Sequence, residues 1–550
     1  MALLGLLLKL ALAPAALVFL TLVVNGVRGI LSYRAKHRAF RAIRGPMRTS
    51  FIAGNLEELY SPFGLPFYEA LPKYGSVVKV HGLFGDVLLC ITDPRAISHI
   101  LVQNANNYPA ADVSGELHMH RYLLGPGLLG VNGPTHKRQR KLLNPVFSHA
   151  QMRRLVPLMR DISHQLKDLL VKEGARSTHD KARVYEIDTA NWFGRVGLEM
   201  IAQAGFGHTF HALTAEGDGD EYVGAVKDLI PSLTALGPMI PLFMLSGAAS
   251  LPPRLLRVAG DAVSLVLPPL RRLMRIVDLM NNEIRRVCEE RQAVLKNASA
   301  DDEQNDILGV LLQANGEGRM PDVEICANSM SLVMAGTETT STTLCRILHM
   351  LALHPEAQVR LRRELAQAFA ATTSEDGSLG YEALMALPYL DALCKETLRV
   401  FAPAPYRHRR SIKEDVIPLE DGTSLHIPAN TEIVINIHCL NTDKTIWGPD
   451  AREWRPERWL DMLPQNVSKI PGVWGNSLSF GGGPKSCIGL NFSLLEMKSV
   501  LATLVPAFRF TMPLHHEIEW RFGTTMTPSV KGEKGLHPLM PLGLEIISSA

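Results

Sequence analysis

The pattern of apolar and polar positions predicts a chain that is mostly helical with small sheets. Apolar and polar residues alternate around short β-prone runs at 77–80 and 87–91, and this period of two predicts strands. A helical period dominates from about residue 136 to residue 400. The other segments are predicted as a loop at 104–134, helix breaks near 231–253 and 267–269, short strands at 415–440, a loop-rich stretch at 441–490 and a helix at 490–504. We expect one large, mostly helical domain.

The start of the chain has a different pattern. Residues 2–24 are apolar except for Lys9 and Thr21, and about 20 apolar residues can cross the hydrocarbon core of a membrane as a helix. A cleaved signal peptide is the alternative, because residues 11–13 imitate a cleavage site. Pro14 directly after that site and the continuing apolar run favour an uncleaved anchor.

Seven Lys and Arg residues follow the apolar run and are expected to stay on the cytoplasmic side. We therefore predict a single-pass membrane anchor at 1–27, a basic juxtamembrane linker at 28–50 and a cytosolic domain at 51–550.

Composition and charge exclude several classes of protein. With 46% hydrophobic and 20% charged residues, the chain is neither intrinsically disordered nor a polytopic membrane protein. The net charge is +3, but the first 50 residues hold eight Lys and Arg and no acid, so the remainder carries −5. We expect no nucleic-acid partner. The seven cysteines form no C-x-x-C pair, which argues against a disulfide framework and favours the reducing side of the membrane.

The glycine pattern at 125–130 matches G-x-G-x-x-G but lacks the context of a dinucleotide site. Pro126 lies inside the turn, and residues 145–155 contain no acid. We therefore assign no nucleotide to it.

The strongest chemical signal is a lone cysteine, Cys487, in a glycine-rich turn at 480–489 that precedes a predicted helix. Glycines let backbone N–H groups approach the sulfur, and a helix N-terminus favours a thiolate over a thiol. Such a thiolate is a good axial ligand for haem iron. A small buried cysteine beside a tight turn is the alternative. The spacing F-x-x-G-x-[basic]-x-C-x-G resembles the haem-binding signature of the cytochrome P450 family, with Phe480, Gly483, Lys485 and Gly489 as the matching haem-binding positions.

A second segment, Ala-Gly-Thr-Glu-Thr-Thr at 335–340, resembles the oxygen-activation motif on the long central helix of that family. Threonine hydroxyls compete for backbone carbonyls and tend to bend or open a helical turn. We expect an opened turn beside Gly336, with Thr339 and Glu338 as the catalytic pair that supplies protons. From the residues alone, a polar patch at a helix packing interface is the alternative.

Two further segments match the family in order. Glu396 and Arg399 form an E-x-x-R pattern, which puts both side chains on one helix face. Pro456–Trp459 resembles the later P-E-R-[FW] segment. The resemblance implies a buried charge triad of Glu396, Arg399 and Arg458 that braces the cysteine loop and has no catalytic role.

The resemblance also implies partners for the haem propionates. His136 and Arg140 match a W/H-x-x-x-R pattern, Arg409 lies where the family often has a basic partner, and Lys485 takes a position more often held by Arg or His. The basic cluster Lys137, Arg138, Arg140 and Lys141 has two interpretations, a solvated helix face or part of a docking surface for an acidic electron donor.

Taken together, the resemblance implies a mainly α cytochrome P450 fold with small β-sheets behind a transmembrane helix. It implies haem b with a cysteine thiolate ligand, and a monooxygenase that transfers one oxygen atom from O2 to a lipophilic substrate. Because the chain holds no flavin or NADPH segment, electrons are expected from a separate NADPH-dependent reductase in the same membrane. Local details look most like fungal microsomal members, which implies the endoplasmic reticulum membrane and secondary metabolism, with terpenoids as an example.

Two other functions stay open at this point. A haem-thiolate enzyme could rearrange or dehydrate its substrate without external oxygen, although the intact Glu338–Thr339 pair favours monooxygenation. A membrane-anchored binding protein could keep the fold without the chemistry.

The substrate pocket is expected to be apolar. Its predicted lining consists of residues 104–130, the apolar stretch 226–257, the helix before Gly336 and residues 402–408. The stretch 226–257 could instead be ordinary core or a second contact with the membrane surface. Tyr406, Arg407 and His408 are expected to place a polar group in the pocket, or to face a propionate or solvent.

Overall fold

The computed structural model describes Gly29, Phe243 and residues 31–111, 117–177, 184–214, 219–239, 253–297 and 306–547. The predicted anchor at 1–27 lies outside this part of the chain. Among the described residues, no helix combines the length and the apolar character that crossing a membrane requires. The described part of the basic linker begins with helical turns at 31–39 and continues without regular structure.

Helices make up most of the described chain. In chain order they are α1 (Leu56–Tyr60), α2 (Leu65–Ala70), α3 (Pro94–Ser98), α4 (His118–Leu124), α5 (Gly133–Leu143), α6 (His149–Ser177), α7 (Thr189–Phe206), α8 (Glu221–Ala235), α9 (Pro253–Ser264), α10 (Pro268–Asn297), α11 (Ile307–Gly316), α12 (Asp322–Leu353), α13 (Pro355–Ala371), α14 (Tyr381–Met385), α15 (Pro388–Val400), α16 (Ile437–Asn441), α17 (Lys444–Trp447) and α18 (Leu490–Ala507).

The 32-residue helix α12 is the centre of the helical core. Asp322 and Glu324 lie in its first turn, where negative charge interacts favourably with the helix dipole. The helix packs against α7, α10, α11, α13, α15 and α18. Most of its residues are buried on all sides, which explains why the sequence shows no clear polar face there.

The strands form four small sheets. They are β1 (Val77–His81), β2 (Val87–Ile91), β3 (Ala110–Ala111), β4 (Val184–Asp188), β5 (Tyr406–Arg410), β6 (Asp415–Pro418), β7 (Ser424–Ile427), β8 (Glu432–Asn436), β9 (Phe508–Thr511), β10 (Ile518–Arg521), β11 (Thr527–Val530) and β12 (Pro541–Ile546). The largest sheet has the order β1-β2-β8-β5-β3, in which β2 and β8 are parallel and the other pairs antiparallel. The others are β4-β12-β9, β10-β11 and β6-β7.

Most of the predicted elements are confirmed, and three differ. The strands at β1 and β2, the break before α10 and the helix α18 are as expected. The predicted loop at 104–134 contains α4, and the predicted helical region contains β4. The break predicted near 231–253 begins later than Pro231, because α8 continues through that proline to Ala235, and α9 begins at Pro253.

The glycine pattern at 125–130 has a packing role. A Cβ atom on Gly127 would lie 2.3 Å from the carbonyl oxygen of Ala327 on α12, so the loop and the helix meet backbone to backbone. Asn328 of α12 accepts a hydrogen bond from the Leu128 N–H at 3.0 Å. The rejection of a dinucleotide site agrees with this arrangement.

The expected charge triad is present and fully buried. Both carboxylate oxygens of Glu396 accept hydrogen bonds from Arg399, at 2.7 and 2.8 Å, and Arg458 Nε donates to Glu396 Oε1 at 3.3 Å. The Trp459 indole N–H donates to Glu396 Oε2 at 2.9 Å. The carboxylate therefore pairs with two arginines that have almost no contact with water, and Asp450 gives Arg458 a second carboxylate at 2.9 Å.

The triad is linked to the cysteine loop through one asparagine. Arg399 Nη1 donates to the carbonyl oxygen of Asn441 at 2.8 Å. The Asn441 side chain accepts from the Leu478 N–H at 3.0 Å and donates to Ser479 Oγ at 3.1 Å. These contacts fix the backbone directly before Phe480, where the loop begins.

We predict that Glu396→Gln strongly destabilises the fold. The amide keeps the shape of the carboxylate but leaves the charge of Arg399 buried without a counter-ion, while Arg458 keeps Asp450 at 2.9 Å. Loss of one partner of a buried ion pair costs about 3–5 kcal/mol. Denaturant unfolding followed by circular dichroism measures the change.

Glu457→Gln is the matched control. This carboxylate is two residues from Trp459 but lies at the surface, where it pairs with Arg360 at 2.8 Å. An exposed ion pair of this kind contributes about 1 kcal/mol or less. Equal losses in the two variants would contradict the role of the triad.

Candidate haem-thiolate site

The cysteine loop has a conformation that requires glycine. Gly481 and Gly483 have φ angles of 70° and 66°, a region that side chains with a Cβ atom rarely adopt. A Cβ atom on Gly483 would lie 1.8 Å from the carbonyl oxygen of Leu101, so the loop is also pressed against neighbouring backbone. The Cys487 N–H donates to the carbonyl oxygen of Phe480 at 2.8 Å and closes the loop.

Cys487 lies three residues before α18, and its side chain faces interior space. The residue has accessible surface although protein surrounds it, as expected for a thiol that lines an internal cavity. Burial raises the pKa of Cys487 above its ordinary value, while the Gly489 N–H and the charges of Arg407 and Arg140 lower it in part. The helix N-terminus alone therefore does not stabilise a thiolate here, and a cationic metal centre would supply the missing positive charge.

Four cations lie around this interior space: Arg140 on α5, Arg407 and Arg409 on β5, and Lys485 in the cysteine loop. We call them the cation group. Neighbouring cations lower the pKa of two of them. Burial and the neighbouring Arg409 and Arg140 lower the pKa of Lys485 to about 7, and burial and Arg407 lower that of Arg409 to about 10.

Within the part of the chain that the structure describes, no member of the cation group forms an ion pair with a carboxylate. They bond to neutral oxygens instead. Arg140 Nη1 donates to the Ser486 carbonyl at 2.6 Å, and Lys485 Nζ donates to the Val131 carbonyl at 2.5 Å. Arg409 Nη1 donates to its neighbour, the His408 carbonyl, at 2.8 Å.

Buried cations without counter-ions are costly, so this set of residues calls for an anionic partner. The two propionates of haem have that charge, and a cysteine at the edge of the same space is a suitable axial ligand. The residues therefore fit haem. Among the described residues, no cluster of His, Cys, Asp and Glu could hold a metal ion without it.

His136 is buried next to the cation group but does not add charge to it. Burial, Lys485 and Arg140 lower the pKa of His136 to about 4, so its ring is neutral at physiological pH. It can still donate one N–H to an anion. The structure therefore brings His136, Arg140, Lys485 and Arg409 together, as the sequence predicts, and adds Arg407.

The central helix differs from the expectation at the threonine-rich segment. Thr339 Oγ1 donates to the Ala335 carbonyl at 2.8 Å, and Thr343 Oγ1 donates to the Thr339 carbonyl at 2.7 Å. The hydroxyls thus bond to backbone carbonyls as expected. However, α12 runs through these residues without interruption, so the prediction of an opened turn is wrong. A Cβ atom on Gly336 would contact Ile201 of α7 at 3.5 Å, which shows that this glycine faces a packed helix.

Glu338 lines a cavity of about 300 Å³ between α7, α8, α10 and α12. Burial raises the pKa of Glu338 to about 7, so its two protonation states are similarly populated near neutral pH. Polar groups also line the cavity. Lys227 Nζ donates to Asn191 Oδ1 there at 2.6 Å, and His537 lies near the same wall. Of the segments predicted to line a substrate pocket, 226–257 contributes to this cavity, as does the part of α12 before Gly336.

The other predicted residues have ordinary structural contacts. The Phe480 ring packs edge to face against Trp474 at 5.4 Å, and Gly489 directly precedes α18. Tyr406 is buried and stacks on Tyr68 at 5.3 Å, while His408 lies beside Tyr60. Of the three residues 406–408, Arg407 alone belongs to the cation group.

The basic cluster on α5 divides into two parts. Arg138 Nη2 donates to both carboxylate oxygens of Glu324 at 2.7 Å and thereby holds α5 against the start of α12. Lys137 and Lys141 lie on the exposed face of α5, and Arg140 turns inward. A docking surface on this helix would therefore use the two lysines.

The sequence reasoning did not assign a role to Glu496. This fully buried carboxyl group of α18 has no hydrogen-bond partner among the described residues and lies 3.3 Å from the Cβ position of Gly197 on α7. Burial raises the pKa of Glu496 to about 8, and the nearby Thr340 side chain offsets part of this rise. A single acid among mostly apolar positions of α18, which has Lys498 as its only other charged residue, is the signal that could have identified it.

A cysteine facing an interior space, with surplus cations around it and a helix bearing hydroxyl and carboxyl groups, defines a haem-thiolate protein. The family model for cytochrome P450 matches residues 45–533. The chain belongs to the cytochrome P450 family, whose members hold haem through a cysteine thiolate.

The relatives are fungal. The chain is 36% identical to cytochrome P450 monooxygenase 91 of Postia placenta over 540 residues, which cover 93% of this chain and 95% of that protein. It is 36% identical to a ganoderic acid synthetase of Ganoderma lucidum, covering 86% of this chain and 91% of that protein. A cytochrome P450 monooxygenase of Hericium erinaceus is 31% identical, with 90% and 92% covered.

We predict that Gly483→Ala prevents stable haem binding, because the added methyl group meets the Leu101 carbonyl and displaces the loop. The Soret absorbance per mole of purified protein measures haem content. Gly481→Ala is the matched control. It has the same kind of φ angle but its nearest neighbour is 3.6 Å away, so it costs only about 1 kcal/mol. Full haem content in Gly483→Ala would contradict the prediction.

Proposed function

We propose that the protein is a monooxygenase that inserts one oxygen atom from O2 into a lipophilic substrate, with Cys487 as the axial ligand of haem. The observation that carries the proposal is the combination of Cys487 with the cation group around one interior space. Haem bound there supplies the reductive activation of dioxygen.

The cation group binds and orients the cofactor. Arg140, Lys485, Arg409 and Arg407 would hold the haem propionates, and neutral His136 could donate an N–H to the same group. Phe480, Gly483 and Gly489 shape the loop that presents the Cys487 sulfur. These assignments rest on the position of each side chain and on the absence of other anions among its described neighbours.

Thr339 and Glu338 handle protons. The Thr339 hydroxyl donates to the Ala335 carbonyl, so its oxygen is left to accept a hydrogen bond from a protonated group in the distal space. Glu338 releases and regains a proton near neutral pH because burial raises its pKa to about 7. We propose that Glu338 regains its proton through the cavity of about 300 Å³ beside it, along the polar side chains of Asn191 and Lys227 in a mostly apolar lining.

Electrons come from a separate NADPH-dependent reductase. Lys137 and Lys141 are exposed on α5, while Arg140 of the same helix points into the cation group. A donor with an acidic surface would thus dock close to the cofactor. The apolar run at 2–24 with its basic flank supports a single-pass anchor in the endoplasmic reticulum membrane, where such a donor would be met.

The proposed substrate is lipophilic, with terpenoid skeletons as the first class to test. The ganoderic acid synthetase of Ganoderma lucidum is a relative over most of the chain, and its name places it in triterpenoid chemistry. An apolar pocket reached from a membrane surface would suit such substrates.

The proposal is tested by mass spectrometry of a host that contains this chain and a fungal reductase and is fed lipophilic terpenoids under ¹⁸O2. We expect a product heavier by one labelled oxygen atom, and none from Cys487→Ser, which should also lose the red-shifted Soret band of the carbon monoxide complex. Unlabelled isomers or dehydrated products would overturn monooxygenation in favour of rearrangement.

We predict that Thr339→Ala uncouples the enzyme. Without the hydroxyl, NADPH oxidation should continue while organic product falls at least about tenfold and hydrogen peroxide rises, as expected for loss of a proton-relay group. Thr343→Ala removes a similar bond to a backbone carbonyl one turn further along α12 and serves as the control. If both variants couple equally well, Thr339 has no role in proton delivery.

A further inference from the structure

Arg346 is a buried cation that nothing in the proposed function uses. It lies on α12 with 8% of its surface exposed. Its Nε has no hydrogen-bond partner, and the structure gives the guanidinium no hydrogen bond or ion pair with any described residue. Burial lowers the pKa of Arg346 well below its ordinary value, with no nearby carboxylate to oppose the shift.

Two aromatic rings hold this guanidinium in place. Its carbon lies 3.4 Å from the centroid of the Trp520 ring and 4.2 Å from that of the Phe401 ring. Ring contacts of this kind use the flat faces of the group and leave its N–H edge for other partners. They compensate only part of the desolvation of a buried charge, so an anion is still missing.

The neighbouring histidine does not supply that anion. Trp520 Nε1 donates to His349 Nδ1 at 3.0 Å, and the two rings stack. Burial and Arg346 lower the pKa of His349 to about 4, so it is neutral at physiological pH. With Nδ1 accepting, its remaining ring nitrogen is a donor. Arg346 and His349 therefore both offer N–H groups.

Arg346 lies on the face of α12 that carries Thr339. Seven residues are close to two helical turns, so the two side chains share a face and are separated by about 10 Å along the axis. Phe401 directly precedes the segment 402–408. The turn of the β10-β11 hairpin is fastened to that segment by the Met526 N–H, which donates to the Pro403 carbonyl at 2.8 Å.

We propose that Arg346 binds the carboxylate of a lipophilic carboxylic acid, which fixes the substrate so that a carbon about 10 Å from the carboxylate lies beside Thr339. The inference rests on the proposed monooxygenase function and names its substrate class. A carboxylate meets the N–H edge of the guanidinium with two parallel hydrogen bonds, while Trp520 and Phe401 keep water from its faces. The haem propionates have their own cations in the cation group, so they do not require Arg346.

The test is an optical binding titration of the haem-loaded protein with three acids and their methyl esters. The probes are dodecanoate, hexadecanoate and abietate. Wild type should bind at least one acid about tenfold more tightly than its ester, as expected for charge-assisted hydrogen bonds. If no acid of the set binds more tightly than its ester, the proposal is wrong.

Arg346→Gln should abolish that preference while leaving ester binding and the carbon monoxide spectrum unchanged. Arg346→Lys should recover part of the preference, because it keeps the charge without the two-pronged edge. Arg360→Gln is the control. Like Arg346, Arg360 lies over an aromatic ring, in its case a tyrosine at 4.3 Å, but it is at the surface and paired with Glu457.

The outcomes separate this inference from the proposed function. Loss of acid and ester binding together in both Arg346 variants would show a structural role and overturn the inference. Oxygenated products from the esters with no preference for acids would overturn the inference and leave the monooxygenase proposal intact. Selective acid binding without any oxygenated product would support the inference about Arg346 and contradict the monooxygenase proposal.

Discussion

The fold of this protein depends on one carboxylate, that of Glu396. Two arginines are buried beside it, and among the described residues it is the only carboxylate that pairs with Arg399. The same arginines hold the carbonyl groups of Asn441 and of residues 450 and 451, where the chain has little regular structure. Asn441 in turn binds the backbone just before Phe480 and so fixes the start of the Cys487 loop. A charge cluster with no chemistry of its own therefore positions the residue on which the chemistry depends.

The central helix α12 combines several tasks because it carries polar residues and a glycine on different faces. Thr337, Thr342 and Glu338 line the cavity of about 300 Å³, and α7 packs against Gly336. Hydroxyl groups that bond back to carbonyls remove the cost of burying so many polar side chains without breaking the helix. The rigidity of α12 keeps Thr339 and Arg346 at a constant separation. In the proposed function, one helix would thus position both the substrate and the proton-handling groups.

The sequence predicted the cysteine loop, the charge triad and the residues that lie together in the cation group, because each follows from a local motif or a short spacing. It was insufficient where a long-range contact decides the outcome. The helix α8 continues through Pro231 because neighbouring helices hold it, although the proline itself favours a break. The turn at Gly336 stays closed because α7 packs against it. Arg346 gave no signal, since its importance lies in the absence of a partner, which only the folded structure reveals.

The cation group has a consequence for the supply of the protein in the cell. Four mutually repelling cations raise the free energy of the folded chain, and a dianionic cofactor removes that repulsion when it binds. By mass action, any ligand that binds only the folded chain increases its population. The amount of intact protein should therefore follow the availability of haem, and chains that fold without it should be the first removed by proteolysis. Cofactor scarcity would thus set the abundance of this enzyme before it limits its turnover.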